Sequence, residues 1–335
     1  MGKLRMGFDI GSSSLKIAIA GRGAVQIEQV RLPENLIDEN GAIVLPHAFA
    51  QFLKQTRKDL GLPGGSAALC LPAGQAICRL VSMPKMTTEQ LMMNLPYEFS
   101  DFIQGEAEQY YCDYAVCQPA EGEEGDSGIP MMAAVASKQR LAEYVQVFQK
   151  AGIRLKTILP QEMSLIHLAQ AQGQGQGTGE YFFIDLGHQH TRVTAVWRDR
   201  VQATREIPLG GRNIDLAIAQ ETGTDAFLAN TYKTTQFQNV QESPVVADIC
   251  ERVAVEIFKV INFYRFTYRS SNLEGVYLVG GGAALEPMRR AIAATLETAP
   301  VETALYQPET LLPGTEELAA EGVFAAGAMM GGGRK

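Results

Sequence analysis

The sequence lacks the features that mark secreted, zinc-binding and membrane-spanning proteins. Its five cysteines are an odd number and form no Cys-x-x-Cys pair, so we expect buried thiols in a reducing compartment rather than disulfides or a metal site. No run of about eighteen apolar residues is present, which argues against a transmembrane helix. No apolar segment follows the basic start, so no secretory signal is predicted. These absences predict a soluble cytoplasmic protein.

Positive charge is also scarce. The chain has 29 Lys and Arg against 37 Asp and Glu, a net charge of −8, so no basic surface for nucleic acid or anionic lipid is predicted. A hydrophobic content of 46% and a charged content of 20% are ordinary for a globular protein. A length of 335 residues favours about two domains.

Residues 8–16 have the pattern of a phosphate-binding hairpin. An apolar strand reaches Asp9, a Gly-Ser turn follows, and an alternating strand begins at Leu15. The N–H groups of such a turn converge and suit a phosphate, and Asp9 at the strand end suits a hydrated Mg²⁺. A plain hairpin turn is the alternative. The predicted phosphate contacts are Gly11, Ser12, Ser13, Ser14 and the charged Lys16.

A second copy of this pattern begins about half a chain later. Residues 181–187 form an apolar run ending in Asp185-Leu-Gly187, and an alternating strand follows after residues 188–191. Internal repetition of this kind predicts two similar halves that face each other.

A glycine cluster forms a third motif. An apolar strand, residues 275–279, runs into Gly280, Gly281 and Gly282, and a helix is predicted from Glu286. Glycines at a strand-to-helix turn let a flat ligand or a phosphate approach the backbone.

Taken in this order, the two Asp-x-Gly hairpins and the late glycine turn resemble the actin superfamily of nucleotide-binding proteins. The resemblance implies an α/β, actin-like ATPase fold of two related domains. It implies that ATP or ADP lies between the hairpins, with the adenosine beside the glycine turn. Asp9 and Asp185 would hold Mg²⁺ through water.

The middle of the first half carries motifs that point to one family within this superfamily. Residues 106–116, residues 133–137 and a helix ending near Gly152 are similar to the PilM family of type IV pilus assembly proteins, whose inserted subdomain resembles that of FtsA. The similarity runs from Met6 to about Met330. In this insert we also predict a helix over residues 89–102.

The family implies a division of the chain into domains. The first domain would comprise residues 1–83, 160–180 and 315–330. The insert would comprise residues 84–159, and the second domain residues 181–314, with a smaller subdomain at about 215–272.

The resemblance also adds site residues. Glu162 matches the position on the connecting helix that orients the attacking water, although a glutamate at a helix start is also favourable for electrostatic reasons alone. Further contacts implied for the nucleotide are Gly187, His188, Gly210, Gly211, Asn230 and Lys233. Two departures from the family pattern, Asn230 in place of a glutamate and the turn His188-Gln-His190, predict weaker nucleotide binding or hydrolysis. The two histidines also permit a metal site, but no third ligand lies nearby in the sequence.

The function implied is a cytoplasmic assembly role at the inner face of the membrane, without direct membrane insertion. The implied partner is the cytoplasmic N-terminal segment of a PilN-like membrane protein. Self-association and contacts with other inner-membrane or motor components stay open, as does weak ATPase activity. The alternatives are a scaffold that needs no nucleotide, an FtsA-like cell-division protein, and a small-molecule kinase, for which no second cluster of polar residues is found.

Overall fold

The first sheet is built outward from the hairpin that contains Asp9. In spatial order its strands are β3 (Val25–Arg31), β2 (Ser14–Ala20), β1 (Met6–Ile10), β4 (Ser66–Cys70) and β8 (Arg154–Leu159). Strand β1 runs antiparallel to β2 and parallel to β4. The computed structural model describes residues 6–21, 25–38, 41–62, 65–118, 128–171, 179–268, 273–297 and 320–331.

The second sheet repeats this plan around the hairpin that contains Asp185. In spatial order its strands are β11 (Arg200–Ile207), β10 (Thr191–Trp197), β9 (Glu180–Leu186) and β12 (Leu273–Val279). Strand β9 runs antiparallel to β10 and parallel to β12, as β1 does to β2 and β4. The structure therefore contains the repeat that the two Asp-x-Gly hairpins predict.

A third, antiparallel sheet lies in the insert. Its strands, in spatial order, are β5 (Ala76–Met83), β7 (Ile129–Ser137) and β6 (Tyr110–Val116). The strands at the two ends of the predicted insert, residues 84–159, pair differently from what these boundaries imply. Strand β5 precedes residue 84 but pairs with β7 of the insert sheet. Strand β8 lies within the predicted insert but pairs with β4 of the first sheet. Sequence position cannot show this, since pairing partners come from distant parts of the chain. The predicted boundary at 314–315 lies outside the described residues.

The helices pack on the two large sheets or on one another, except α2 (Thr88–Asn94), which packs on the insert sheet. Their bounds are α1 (Pro46–Asp59), α2 (Thr88–Asn94), α3 (Lys138–Lys150), α4 (Gln161–Ala171), α5 (Gly211–Thr222), α6 (Ala226–Thr235), α7 (Pro244–Thr267), α8 (Glu286–Glu297) and α9 (Val323–Gly331). Within the part of the chain that the structure describes, every helix is too short or too polar to cross a bilayer.

The helix predicted over residues 89–102 is shorter than expected. Helix α2 begins with a capping box, in which Thr87 and Gln90 exchange hydrogen bonds between side chain and backbone, and it ends at Asn94. A 3₁₀ segment, Leu95–Phe99, follows. Pro96 explains the change, because it has no N–H group to bond to the carbonyl four residues earlier.

Helices α4 and α9 join the two halves behind the cleft. Leu168 of α4 and Ala325 of α9 are fully buried in one cluster with Phe183 of β9 and Val279 of β12. This shared core joins the two sheets.

Candidate functional site

A cavity of about 900 Å³ lies between the two halves. Both hairpins, the glycine turn and helices α5 and α6 line it. The predicted site residues that line it are Asp9, Gly11, Ser12, Ser13, Ser14, Lys16, Asp185, Gly187, His188, Gly211, Asn230, Lys233, Gly280, Gly281 and Gly282. Two predicted residues, Glu162 and Gly210, are not among the described residues of its wall.

In the first hairpin, Asp9 and Lys16 lie directly opposite each other on β1 and β2. The Lys16 Nζ atom is 3.5 Å from Oδ2 of Asp9, and both side chains are largely buried. Burial raises the pKa of Asp9, while Lys16 acts to lower it. The turn is closed by the N–H of Gly11, which donates to the carbonyl of Ser14 at 3.0 Å. The hairpin thus presents a buried carboxylate and an ammonium group to the cavity.

The second hairpin repeats the arrangement with Asp185 and Arg192, which are directly opposite on β9 and β10. Burial raises the pKa of Asp185 to about 6, while the charges of Arg192 and Lys16 lower it and that of Asp9 raises it further. Both hairpins line the same cavity, so Asp9 and Asp185 reach it from the two halves of the molecule.

The glycine turn packs directly against Asp185. Gly280 has a φ of +82°, in the left-handed region, and a Cβ atom there would clash with Oδ1 of Asp185. The next residue, Gly281, has open space where a Cβ would lie. The turn therefore leaves open space beside the carboxylate, a recess that Gly280 and Gly281 line together with other residues of the cavity wall.

On the side of the cleft near α6, three polar side chains lie around one buried carboxylate, Asp215 on α5. Its side chain is 1% exposed. Lys233 Nζ lies 2.6 Å from its Oδ1, and Asn230 Nδ2 donates to its Oδ2 at 3.1 Å. His188 Nδ1 is 3.6 Å from the same Oδ2, and burial lowers the pKa of His188. Three predicted nucleotide contacts therefore already lie beside one internal carboxylate.

Sequence reasoning did not single out Asp215, although a signal was present. Asp215 lies on the buried face of α5 with Ile214, Ile218 and Ala219. A carboxylate on the apolar face of an amphipathic helix requires a partner, because an unpaired buried charge is strongly destabilising. That rule would have pointed to a cation on a neighbouring helix, which Lys233 supplies.

At the start of α4, Gln161 rather than Glu162 reaches the cavity. The Gln161 Oε1 atom accepts a hydrogen bond of 2.7 Å from Arg192. Burial raises the pKa of Glu162, and its charge acts on the buried thiols of Cys70 and Cys78. Helix α4 is apolar around most of its surface, so periodicity could not tell which first-turn side chain faces the cleft.

The two histidines of the second turn face different carboxylates. His188 is next to Asp215, whereas His190 Nε2 lies 3.8 Å from Glu206. Among the described residues, no group of three or more His, Cys, Asp or Glu side chains is arranged to hold a metal ion.

The cleft has the chemistry to hold a phosphate ester together with a hydrated divalent cation. Asp9 and Asp185 face each other across it, and a cation would offset the unfavourable burial of both carboxylates. Two protein carboxylates suit Mg²⁺, which keeps most of its water ligands and also binds substrate phosphates. The turn of residues 11–14 and the ammonium of Lys16 provide donors for phosphate oxygens. The residues present therefore fit a magnesium–nucleotide complex.

Two mixed sheets with the same strand plan, joined behind a cleft lined by paired hairpins, define an actin-like fold. The chain belongs to the family described as type IV pilus assembly protein PilM, whose sequence model matches residues 7–316. The resemblance predicted from the hairpins and the insert is thereby confirmed.

Two solved structures share this fold. A structure of a PilM-PilN type IV pilus biogenesis complex matches with 20% identity and a TM-score of 0.82, over 100% of both chains. The ethanolamine utilization protein EutJ from Carboxydothermus hydrogenoformans matches with 17% identity and a TM-score of 0.57, over 97% of this chain and 89% of that chain. No match was found among curated proteins.

Proposed function

We propose that the cleft binds Mg–ATP and that the bound nucleotide regulates a role in type IV pilus assembly. The observation that carries the proposal is that both hairpins line one cavity, to which one contributes Asp9 and Lys16 and the other Asp185. A site with two carboxylates, converging turn N–H groups and a lysine is suited to phosphates and a divalent cation.

Each wall of the cleft would hold a different part of the ligand. Asp9 and Asp185 would hold the hydrated Mg²⁺, which neutralises phosphate charge when bound. Lys16 and the turn of residues 11–14 would bind phosphate oxygens, and the recess at Gly280 and Gly281 would accept the nucleoside. For any hydrolysis, Gln161 is better placed than Glu162 to orient a water, because Gln161 lines the cavity.

The partner in this proposal is the cytoplasmic N-terminal segment of a PilN-like membrane protein, which would hold the protein at the inner face of the membrane. Support comes from family membership and from the similar structure described as a PilM-PilN complex. The insert carries exposed apolar side chains that a partner could cover, among them Met93 and Tyr97.

Contacts between the insert and the second half offer a route by which nucleotide could affect the partner. The N–H of Gln118, which follows β6 of the insert, donates to Oδ2 of Asp199 at 2.8 Å, and Arg200 donates to the carbonyl of Gln118. Asp199 lies in the turn between β10 and β11, the hairpin that also carries Arg192 into the cleft. A movement of the second half on nucleotide binding would therefore shift the insert, provided that the partner binds the two states with different affinity.

Calorimetric titration of Mg–ATP into the purified chain tests the nucleotide site. We expect saturable binding that Asp9→Ala abolishes and that the control Asp248→Ala, in an exposed carboxylate of α7, leaves unchanged. Phosphate release from the same samples separates an ATPase from a static binder. Absence of binding at millimolar Mg–ATP to folded protein would overturn the nucleotide proposal.

A scaffold that needs no nucleotide is a second candidate, and one observation favours it. Lys233, Asn230 and His188 already lie beside the carboxylate of Asp215, so three groups expected at the nucleotide have an internal partner. Titration of a PilN-like N-terminal peptide, with and without Mg–ATP, distinguishes the candidates. Equal peptide affinity in both conditions would favour the scaffold, and a shift would favour nucleotide regulation.

A further inference from the structure

We propose that Arg192 is a phosphate-binding residue that makes the cleft prefer a nucleoside triphosphate to the diphosphate. This inference rests on the proposed nucleotide site and adds that the site recognises the last phosphate of the nucleotide. It follows from the position of Arg192 in the repeat, from its contacts, and from its place along the cavity.

The repeat assigns Arg192 a role equivalent to that of Lys16. Lys16 lies opposite Asp9 across β1 and β2, and Arg192 lies opposite Asp185 across β9 and β10. Directly opposite residues on neighbouring strands project from the same face of the sheet. Each hairpin therefore presents one carboxylate and one cation to the cavity, and both cations line it.

The guanidinium of Arg192 has donors available for a ligand. Its Nη1 donates to Oε1 of Gln161 at 2.7 Å, and it pairs with Glu206, its opposite residue on β11. A guanidinium has five N–H donors in a planar fork that matches phosphate oxygens. Glu206 is 45% exposed, so water can solvate its carboxylate again when a phosphate replaces it. Lys16, by contrast, is already paired with the buried carboxylate of Asp9.

Two contacts cross the cleft between residues that line the cavity. The guanidinium of Arg31 lies 3.6 Å from the ring centroid of Phe227 on α6 and donates to Thr231 at 3.4 Å. Arg192 reaches from the second half to Gln161 at the start of α4, and it lies directly opposite Asp185. Because Asp185 is one of the two carboxylates proposed for the hydrated Mg²⁺, a phosphate bound to that ion would lie beside the guanidinium. With the nucleoside between the glycine turn and α6, we assign this position to the last phosphate of a triphosphate, which a diphosphate lacks.

The test is calorimetric titration of Mg–ATP and Mg–ADP into the full chain and its variants. We expect Arg192→Gln to weaken Mg–ATP binding about tenfold or more, the loss of a charge-assisted phosphate contact, and to change Mg–ADP binding little. The matched control is Arg205→Gln. Arg205 is an exposed arginine on β11 that projects to the opposite face from Glu206, and its loss should leave both affinities unchanged.

A second variant covers the case in which Arg192→Gln fails to fold. Glu206→Gln removes the carboxylate that competes with phosphate for Arg192, and we expect it to raise the preference for Mg–ATP about threefold, the scale of a surface ion pair. An unchanged ratio of ATP to ADP affinity in either folded variant would overturn the role of Arg192 and leave the nucleotide site intact. Failure of the unmodified chain to bind either nucleotide would overturn the nucleotide site as well.

Discussion

The two hairpins share a strand register but differ in what surrounds them. In the first, Asp9 pairs with its own opposite residue, Lys16, and the turn consists of glycine and serines. In the second, Arg192 reaches to Gln161 and Glu206, and the turn residue His188 lies beside Asp215 on α5. The first hairpin completes its ion pair internally, whereas the second depends on side chains from other elements.

The two hairpins are therefore expected to respond differently when the two halves of the molecule move. A self-contained hairpin keeps its charges in place when the halves move. A hairpin tied to α4, α5 and the opposing half responds to such movement, because its partners belong to bodies that can change their relative positions. We therefore expect substitutions around the second hairpin to have the larger effects, and three predictions test this comparison.

The largest effect is expected for Asp215→Ala, which removes the external support of the second hairpin. Lys233 would remain buried without a counter-charge, Asn230 would lose its acceptor, and His188 would lose the neighbouring carboxylate. We expect the free energy of unfolding, measured by urea denaturation, to fall by about 3 kcal/mol or more. The control Asp248→Ala, in a side chain that is 68% exposed, should change it by less than about 0.5 kcal/mol. A loss below about 1 kcal/mol for Asp215→Ala would show that the second hairpin does not need this cluster.

An intermediate effect is expected when alanine replaces the turn glycines. A Cβ at Gly187 would lie 2.7 Å from the carbonyl oxygen of His190, which accepts the hydrogen bond that closes the turn. A Cβ at Gly11 would lie 2.6 Å from Nζ of Lys16, the mobile end of a flexible side chain, although the Ser14 carbonyl is also close at 3.1 Å. We expect Gly187→Ala to cost about 2 kcal/mol and Gly11→Ala less than about 1 kcal/mol in thermal unfolding. Equal losses would contradict the distinction between the turns.

The smallest effect, and the one with a characteristic pH dependence, is expected for Asp185→Asn. Burial raises the pKa of Asp185 to about 6, from a usual value of 3.8, so the folded protein holds a proton that the unfolded chain has released. The stabilisation from this proton is complete below about pH 4 and is lost as the pH rises through about 6. Without divalent cations, Asp185→Asn should therefore raise the free energy of unfolding at pH 7.5 by about 1 kcal/mol, a value reduced for the partial exposure of the carboxyl.

The first hairpin supplies the control for that measurement. Asp9→Asn should not stabilise the protein at pH 7.5, because it removes the partner of the largely buried Lys16. Urea midpoints at pH 4.5, 6.0 and 7.5 give the comparison. Parallel pH profiles for the unmodified chain and Asp185→Asn would show that Asp185 does not titrate in this range.

Much of the local structure could be predicted from the sequence, because it depends on near neighbours. Alternating apolar residues placed the strands that carry Asp9 and Asp185, and the helix predicted from Glu286 begins at that residue. The family and the fold class, predicted from the spacing of these motifs, are confirmed by the comparisons. The division into domains and the roles of the individual site residues stay predictions.

What the sequence could not show has one physical cause, contacts between distant parts of the chain. The sequence could not show that β5 joins the insert, because strand pairing is made with residues about fifty positions away. It pointed to Glu162 rather than Gln161, because the orientation of a mostly apolar helix is set by its neighbours. It missed Asp215 as the common partner of His188, Asn230 and Lys233, since those contacts exist only after α5 and α6 have packed.

The sequence by itself determined two hairpins, a glycine turn and the backbone geometry that suits a phosphate. Glycine, serine and alternating apolar residues specify such geometry locally. Only the tertiary structure decided which charges meet. Asp9 is bound to Lys16 within one hairpin, whereas Arg192 is bound to Gln161 across the cleft. The choice of partner for a buried charge depends on distance and dielectric, and packing sets both only when the two halves come together.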